Sequence, residues 1–249
     1  MLSRGFGDIS RGFTLLEKSM GLNASRVWLD RELTAFGESL PEGCLVLDAG
    51  AGSQAYAPKF SKQRYESADF EQVEKKYKPS TYVCDLRKIP VEDGRFDAIV
   101  FTQVMEHVPE PKLVLQELHR VLKPGGKMFF SAPLYYPEHE QPYDYYRYTQ
   151  FGLRYLFDET GFEIGEIRWL EGFLATVAHQ LRHMRGRFPK TPSGYGGGIV
   201  GVFLLVFFQL FGLVARFVSP FARYADIRKR YTDKGLPINY MAILTKPVA

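Results

Sequence analysis

Three aspartates and two glycines in the first third of the chain could hold a small polar cofactor. Asp48 ends an apolar segment and is followed by Gly50 and Gly52, while Asp69 and Asp85 close the next two apolar segments. Glycine lets the backbone turn sharply and removes the Cβ atoms that would keep a ligand away from the main chain. A carboxylate accepts two hydrogen bonds at once, which suits the paired hydroxyls of a ribose. Because ligands of open α/β sheets bind beyond the carboxyl ends of the strands, we expect these side chains to converge there.

The glycine turn alone is compatible with other interpretations. Residues 50–55 also fit the loose dinucleotide pattern G-x-G-x-x-A, and a plain strand-to-helix turn has the same glycines. A nicotinamide dehydrogenase accounts for Asp69 but leaves Asp85 and the later Glu106–His107 pair without a role. The full set of residues therefore disfavours a dehydrogenase.

A second group of reactive side chains lies in the loop of residues 133–149, which is rich in aromatic, acidic and histidine residues. We take His139, in this loop, and His107, after the fourth predicted strand, as candidate catalytic residues. An imidazole titrates near neutral pH and can accept the proton of an oxygen nucleophile. The candidates for substrate binding are Tyr143, Asp144 and Arg147. Structural roles stay open for all five: a histidine that packs its turn, an ion pair that holds the loop, and a tyrosine that packs in it.

The elements that must position these residues alternate between strand and helix patterns, which predicts an α/β fold. The predicted strands cover residues 46–48, 65–68, 81–84, 95–101, 127–132, 162–169 and 239–245. The predicted helices are one capped by Asn23 or Ser25 and running to residue 36, one over 55–60, one over 111–122, and one capped by Thr149 and running to residue 160.

With these motifs in this order, the chain resembles the class I S-adenosylmethionine-dependent methyltransferases, in particular the methyltransferase type 11 group. Asp48, Gly50 and Gly52 match the family's first motif, with Ser53 and Gln54 where its third glycine would fall. The segment 118–127 matches the helix and turn before the fifth strand. The resemblance covers roughly residues 43–168 and the final strand.

The resemblance implies a Rossmann-like seven-stranded, mostly parallel sheet with helices on both faces, and S-adenosylmethionine as the cofactor. It assigns the ribose hydroxyls to Asp69, the adenine amine to Asp85 and the adenine ring to Leu86. The loop around His139 is similar to a motif of bacterial methyltransferases associated with cell-surface glycan synthesis. Methyl transfer depends mostly on positioning and on exclusion of water, so a dedicated catalytic residue is optional.

Charge and cysteine content narrow the class of protein further. The chain of 249 residues has a net charge of +4, but residues 176–234 alone hold ten Lys or Arg against two Asp. Two cysteines, Cys44 and Cys84, fall in or beside predicted core strands, which indicates reduced thiols and a cytoplasmic location. We expect no bound metal, because no metal-ligand spacing appears, and no secretion signal.

The basic region also contains the longest apolar segment, residues 199–218, where only Gln209 and Arg216 are strongly polar. A helix of this length could cross a bilayer. A single crossing conflicts with a seventh strand in the same sheet, so the alternatives are a surface-lying helix, a re-entrant insertion, which we favour, or a helix buried in a protein interface. Basic residues flank it and favour a membrane: Arg182, Arg185, Arg187 and Lys190 before it, and Arg223, Arg228, Lys229 and Arg230 after it.

We therefore predict an N-terminal helical segment (1–42), a cofactor-binding core (43–170), a helical hydrophobic and basic insertion before the last strand (171–237), and a final core strand (238–249). The predicted function is transfer of a methyl group to a hydroxyl of a small or lipid-linked acceptor at the inner face of the cell membrane, a glycan intermediate being one such acceptor. The alternatives are a soluble small-molecule methyltransferase whose apolar helix is a lid or a homodimer interface, and a non-catalytic membrane adaptor. No base-flipping or stacking signature accompanies the basic region, so we expect no nucleic-acid partner.

Overall fold

The computed structural model describes residues 23–72, 78–184 and 186–248. The predicted N-terminal segment therefore lies outside the described residues up to residue 22, as does the basic residue Arg185. The chain divides into two compact units. Among the described residues, the sheet unit comprises those within Leu29–Leu170 and from Ile238 onward, and the helical unit comprises residues 23–28 together with those within Glu171–Pro237.

The sheet unit is built on one seven-stranded sheet with the order β3-β2-β1-β4-β5-β7-β6. Strands β1 to β5 are parallel, and β7 runs antiparallel between β5 and β6. This confirms the predicted Rossmann-like class. The strands are β1 Leu45–Ala49, β2 Arg64–Asp69, β3 Tyr82–Val83, β4 Phe96–Thr102, β5 Leu122–Pro133, β6 Glu163–Trp169 and β7 Asn239–Thr245.

The α-helices have side-chain caps where the sequence predicts them. The Asn23 carboxamide accepts a hydrogen bond from the backbone N–H of Ser25 at 3.0 Å, and the Thr149 hydroxyl accepts one from Gly152 at 3.1 Å. Such caps satisfy backbone donors that the first helical turn leaves free. The helices are α1 Ala24–Ser39, α2 Pro111–Val121, α3 Gln150–Glu159, α4 Phe173–Met184 and α5 Gly198–Arg228.

The helix predicted after the glycine turn is wrong. Only a short 3₁₀ helix, Ala57–Phe60, follows β1. Gly52 and Gln54 have positive φ angles, of 50° and 55°, so a right-handed helix cannot run through these positions and begins only at Ala57. Strand β5 also begins earlier than predicted, because the chain from Leu122 continues directly into the sheet without a separate turn.

The core of the sheet unit is formed by side chains from the strands and from helices α2 and α3. Phe101, Leu118 and Phe130 are almost completely buried, and the rings of Phe101 and Phe130 lie 6.0 Å apart. The central strand β1 is buried along its whole length, which explains its continuous apolar sequence before Asp48. This packing fixes the carboxyl ends of β1, β2 and β4, where the candidate site lies.

The helical unit contains α4, α5 and a 3₁₀ helix over Pro192–Tyr195. The ring of Phe208 in α5 stacks with Tyr195 at 5.6 Å and contacts Phe188 at 5.0 Å. One face of α5 is therefore packed within its own unit.

Candidate active site

A cleft of about 310 Å³ lies in the sheet unit at the carboxyl ends of the strands. Its lining includes the predicted cofactor residues Gly50, Asp69 and Leu86 together with His107 and Tyr143. The structure therefore brings together residues that the sequence assigned to cofactor, catalysis and substrate.

The glycine turn and Asp69 are held in contact with each other. A Cβ atom on Gly50 would lie 2.3 Å from a methyl carbon of Val104, and Gly50 has a φ of +76°, so no other residue fits there without displacement. The backbone N–H of Gly52 donates to the Asp69 carboxylate at 2.8 Å, and that of Glu71 donates to its other oxygen at 2.9 Å. These bonds fix the orientation of the Asp69 carboxylate at the edge of the cleft.

Asp48 lies beneath this site and is not one of the described residues that line the cleft. Its side chain is buried and accepts a short hydrogen bond from the Tyr65 hydroxyl. Burial raises the pKa of Asp48 to about 6. The Asp48 side chain therefore contacts Tyr65 of β2, whereas the sequence predicted that it contacts the cofactor.

Asp85 lines the cleft but is already engaged by a neighbouring arginine. The guanidinium of Arg87 donates to both oxygens of Asp85, and the same arginine pairs with Glu110. These hydrogen bonds lower the pKa of Asp85. Asp85 can therefore contact a ligand only through the part of its carboxylate that Arg87 leaves free.

The predicted substrate residues separate into two groups. Tyr143 lines the cleft, but the side chains of Asp144 and Arg147 pair with each other through two hydrogen bonds of 2.6 and 2.8 Å. Arg147 also donates to the carbonyls of Tyr136 and Pro137, and the pairing lowers the pKa of Asp144 to about 2. This ion pair holds the loop after β5, which is the structural alternative that the sequence left open.

The two candidate catalytic histidines are adjacent. Their ring centroids are 4.7 Å apart, and one ring nitrogen of each lies within 4.8 Å of the other and of a carboxylate oxygen of Glu106. His107 is half-buried, and this burial lowers its pKa. Burial also raises the pKa of Glu106 to about 8. His139 reaches this cluster because the backbone N–H of Tyr145, in the same loop, donates to the Glu106 carbonyl at 2.8 Å.

Sequence reasoning missed several residues of this site. Glu106 had no assigned role of its own; it lies behind His107 and, like His139, is not among the described residues that line the cleft, whereas Gln103, Glu140 and Tyr145 line it. The signal for Glu106 was a glutamate next to a histidine at the end of a buried strand, where a carboxylate has little access to water.

Comparison with known proteins confirms the resemblance. Residues 43–130 match a family model described as a methyltransferase domain. The chain is 41% identical over 60 residues to the ubiquinone biosynthesis O-methyltransferase of Azotobacter vinelandii, covering 24% of this chain and 25% of that protein. It is 29% identical to the demethylmenaquinone methyltransferase of Beutenbergia cavernae, covering 58% of this chain and 63% of that protein. The chain thus spans less than two thirds of the length of these relatives.

Solved structures share the fold at low sequence identity. The phosphoethanolamine N-methyltransferase 2 of Haemonchus contortus, in complex with S-adenosyl-L-methionine, has a TM-score of 0.51 at 17% identity over 88% of this chain and 52% of its own. The cyclase SpnF has a TM-score of 0.53 at 19% identity over 88% of this chain and 82% of its own. Because proteins named for different reactions share this fold, the fold alone does not define the reaction.

Proposed function

We propose that this chain, whose residues 43–130 form a methyltransferase domain, transfers the methyl group of S-adenosylmethionine to a hydroxyl of an acceptor held at a membrane surface. The observation that carries the proposal is that one cleft is lined by Gly50 and Asp69 together with His107 and Tyr143. Cofactor-binding and acceptor-binding residues must share one cavity if the methyl group is to move in line from sulfur to oxygen.

The cofactor half of the cleft supports this assignment. The Asp69 carboxylate is oriented by two backbone N–H groups, and it lines the same cleft as Gly50, whose missing Cβ leaves room for the Val104 side chain. We assign Asp69 to the ribose hydroxyls, Leu86 to the adenine ring, and Asp85 to the adenine amine in spite of its pairing with Arg87. Gly52 then acts by orienting Asp69, and Asp48 by its hydrogen bond with Tyr65.

The acceptor half of the cleft supports an oxygen nucleophile. His107 lines it, and its lowered pKa keeps the imidazole neutral near pH 7, so that it can accept a proton or a metal ion. The Azotobacter vinelandii relative is named as an O-methyltransferase of ubiquinone biosynthesis. A phenol or alcohol on a lipid-soluble molecule is thus the acceptor class that we propose, and a lipid-linked glycan intermediate belongs to the same class.

Helix α5 supports a membrane location. It is long and apolar enough to cross a bilayer, with a mean hydropathy of 2.5 over one 18-residue window, yet only 11% of that window is buried. The exposed apolar side chains recur every three or four residues and so form one face, referred to below as the apolar face: Ile199, Val200, Val202, Phe203, Val206, Phe207, Leu210, Leu213, Val214, Phe217, Val218 and Phe221.

The two ends of the helical unit make a single crossing implausible. The backbone N–H of Leu170, where the chain leaves the sheet unit, donates to the carbonyl of Asn239, where it returns, at 3.0 Å. The segment between them must therefore begin and end on one side of the membrane. The sequence favoured a re-entrant insertion, but α5 is one continuous helix, Gly198–Arg228, with no turn at which a re-entrant segment could reverse. We therefore propose that α5 lies along the inner membrane surface with its apolar face in the lipid, and that exposed basic residues such as Arg182, Arg187 and Lys229 contact anionic headgroups.

A labelled-methyl experiment tests the proposed function. The full chain is incubated with S-adenosylmethionine that carries a labelled methyl group, with either the membrane or the soluble fraction of bacterial cells as the source of acceptor. We expect label in lipid-extractable material from the membrane fraction only, and about a tenfold or larger loss of cofactor affinity in the Asp69→Ala variant.

Two results would contradict the proposal. Label that enters only soluble molecules would favour the small-molecule methyltransferase, with the apolar face as a lid or homodimer contact. Calorimetric titration that detects no S-adenosylmethionine binding to the folded wild type would favour the non-catalytic adaptor. The variant Asp30→Ala, which changes a half-exposed aspartate of α1, is the matched control and should bind the cofactor like the wild type.

A further inference from the structure

Glu106, His107 and His139 form a cluster with the ligand types of a metal centre. Their candidate ligand atoms all lie within 4.8 Å of one another, and Nε2 of His107 is 3.8 Å from a carboxylate oxygen of Glu106. Around a zinc ion, with bonds of about 2.0–2.1 Å, tetrahedral ligand atoms are roughly 3.3 Å apart. Small side-chain adjustments would therefore close the cluster around one ion.

Glu106 provides a second and independent observation. Its side chain is completely buried, and neither carboxylate oxygen has a hydrogen-bond partner among the described residues. A buried carboxylate without a partner is costly, and buried charges in proteins are normally paired or coordinate metals. The carboxylate is oriented towards the two imidazoles, so a cation bound there would supply the missing partner.

Both histidines are oriented so that the same nitrogen is available. Nδ1 of His107 lies 2.6 Å from the Tyr143 carbonyl, which can only accept, so Nδ1 carries the proton. Nδ1 of His139 lies 3.3 Å from the Asp144 carboxylate and 3.2 Å from the Pro137 carbonyl. In each ring Nε2 is left with its lone pair, and a carbonyl or carboxylate behind Nδ1 is the usual support of a metal-binding histidine.

We infer that Glu106, His107 and His139 bind one divalent transition-metal ion of the zinc type next to the cleft, at the point where His107 lines it. Two imidazole nitrogens and one carboxylate are a donor set of catalytic zinc sites, in which a further position stays open for water or substrate. Mg²⁺ prefers oxygen ligands and is not expected to bind this set. This inference replaces the sequence-based expectation of no metal, which considered only the spacing of histidines and cysteines along the chain.

The inferred ion deepens the proposed function and rests on it. An acceptor hydroxyl bound to the ion would lose its proton to solvent water more readily. The oxygen would then form a bond to the methyl carbon of S-adenosylmethionine while the carbon–sulfur bond breaks. The electron pair of the broken carbon–sulfur bond stays on sulfur, and the products are the methyl ether and S-adenosylhomocysteine. His107 and His139 would thus act as ligands, which explains why the loop ion pair Asp144–Arg147 holds His139 in place.

Zinc titration of the full chain tests the inference without any measurement of activity. The protein is treated with EDTA, dialysed, and titrated with ZnCl₂ in a calorimeter, and Co²⁺ absorption spectra provide a second readout. We expect one equivalent of zinc to bind the wild type, and Glu106→Gln and His139→Ala each to weaken binding about 10- to 100-fold. The control His183→Ala changes the stacked pair His179–His183 of the helical unit and should leave this site unaffected.

The outcomes separate this inference from the proposed function. Absence of zinc binding to the wild type, or binding that is lost only in His183→Ala, would show the inference to be wrong. Glu106→Gln replaces a buried carboxyl group without a hydrogen-bond partner among the described residues by a neutral amide of the same size, so the variant should fold like the wild type. S-adenosylmethionine binding is measured on the same samples: wild type that binds the cofactor but no zinc overturns only the metal site, whereas wild type that binds no cofactor overturns the proposed function.

Discussion

The sheet unit and the helical unit distribute their apolar side chains in opposite ways. In the sheet unit, Phe101, Leu118 and Phe130 are almost fully buried. In helix α5, Phe203 and Phe217 are 67% and 63% exposed, while the buried positions of the same helix include small or polar residues such as Ser219 and Asp226.

This contrast indicates different surroundings for the two units. Full burial of one large apolar side chain stabilises a protein by about 1.5–3 kcal/mol. Transfer of the twelve exposed side chains of the apolar face from water to an apolar environment would therefore be strongly favourable. Exposed apolar patches of such extent mark sites of contact with lipid or with another protein. The large apolar side chains of the sheet unit are mostly buried inside it, whereas one face of α5 leaves them exposed.

The largest expected effect comes from charges on the apolar face. The double variant Phe203→Glu/Phe207→Glu should reduce binding to phosphatidylglycerol-containing vesicles about 100-fold or more, because it removes two buried rings from the lipid and adds two charges. Binding is measured by co-sedimentation of the full chain with vesicles of mixed neutral and anionic lipid.

Phe151→Glu is the matched control for this experiment. Phe151 lies in α3 of the sheet unit and is 74% exposed, so the variant adds a charge at an exposed ring outside the apolar face. It should sediment with vesicles like the wild type. A different result would contradict the membrane location: the wild type does not bind vesicles and is a dimer, and the double variant is a monomer. In that case a second copy of the chain covers the apolar face.

A second prediction concerns Asp48, one of the buried acidic residues of the sheet unit. With a pKa of about 6 in the folded state and 3.8 as its ordinary value, ionisation of Asp48 lowers the free energy of unfolding by about 3 kcal/mol. The folded state binds the proton more tightly, so this group favours folding below about pH 4 and loses that contribution as the pH rises through 6. Asp48→Asn should therefore be more stable than wild type by up to about 3 kcal/mol at pH 8, and equally stable near pH 4.

Urea denaturation at several pH values measures this difference. Asp158→Asn, at an exposed position of α3, serves as the control and should follow the wild-type curve. If Asp48→Asn were less stable than wild type at pH 8, the Asp48 carboxylate would be stabilised by interactions that outweigh its burial. The conclusion that burial of the Asp48 carboxylate destabilises the sheet unit would then be wrong.

Much of the sheet unit could be predicted because its signals are local. Alternation of apolar segments, the capping residue Thr149 and the glycines around Asp48 each depend on a few neighbouring residues, and the same interactions operate in the folded chain. The convergence of Asp69 and Asp85 followed from the rule that parallel strands present their carboxyl ends at one edge. Both residues line the cleft.

The parts that could not be predicted depend on contacts between distant segments. The position of Asp48 in the sequence does not show that its carboxylate accepts a hydrogen bond from the Tyr65 hydroxyl. In the same way, the position of Asp85 does not show that Arg87 donates to both of its carboxylate oxygens. The cluster of Glu106 with His139 joins residues separated by more than thirty positions, and it forms only because the loop docks on the turn after β4. A pattern along the chain contains no information on such docking.

The smallest predicted effect concerns Asp226, a buried acidic residue of the helical unit. The indole N–H of Trp28 donates to the Asp226 carboxylate at 2.9 Å, and the guanidinium of Arg230 lies 4.6 Å from the centre of the Trp28 ring. Trp28→Phe keeps an aromatic ring for the cation but removes the donor, which should destabilise this unit locally by about 1–2 kcal/mol. Asp226 is fully buried, so water cannot replace the lost bond without opening the unit.

Amide hydrogen exchange measures this local effect and separates the two units. Trp28→Phe should increase exchange about 5- to 30-fold in residues 171–237 and leave strands β1, β4 and β5 unchanged, since local opening need not involve the sheet. Trp169→Phe, in strand β6, is the control with the same change in the sheet unit, and it should leave residues 171–237 at wild-type rates. If Trp28→Phe increased the rate of amide exchange equally in both units, the two units would unfold together. They would then form one cooperative structure in spite of the difference in their exposed apolar surface.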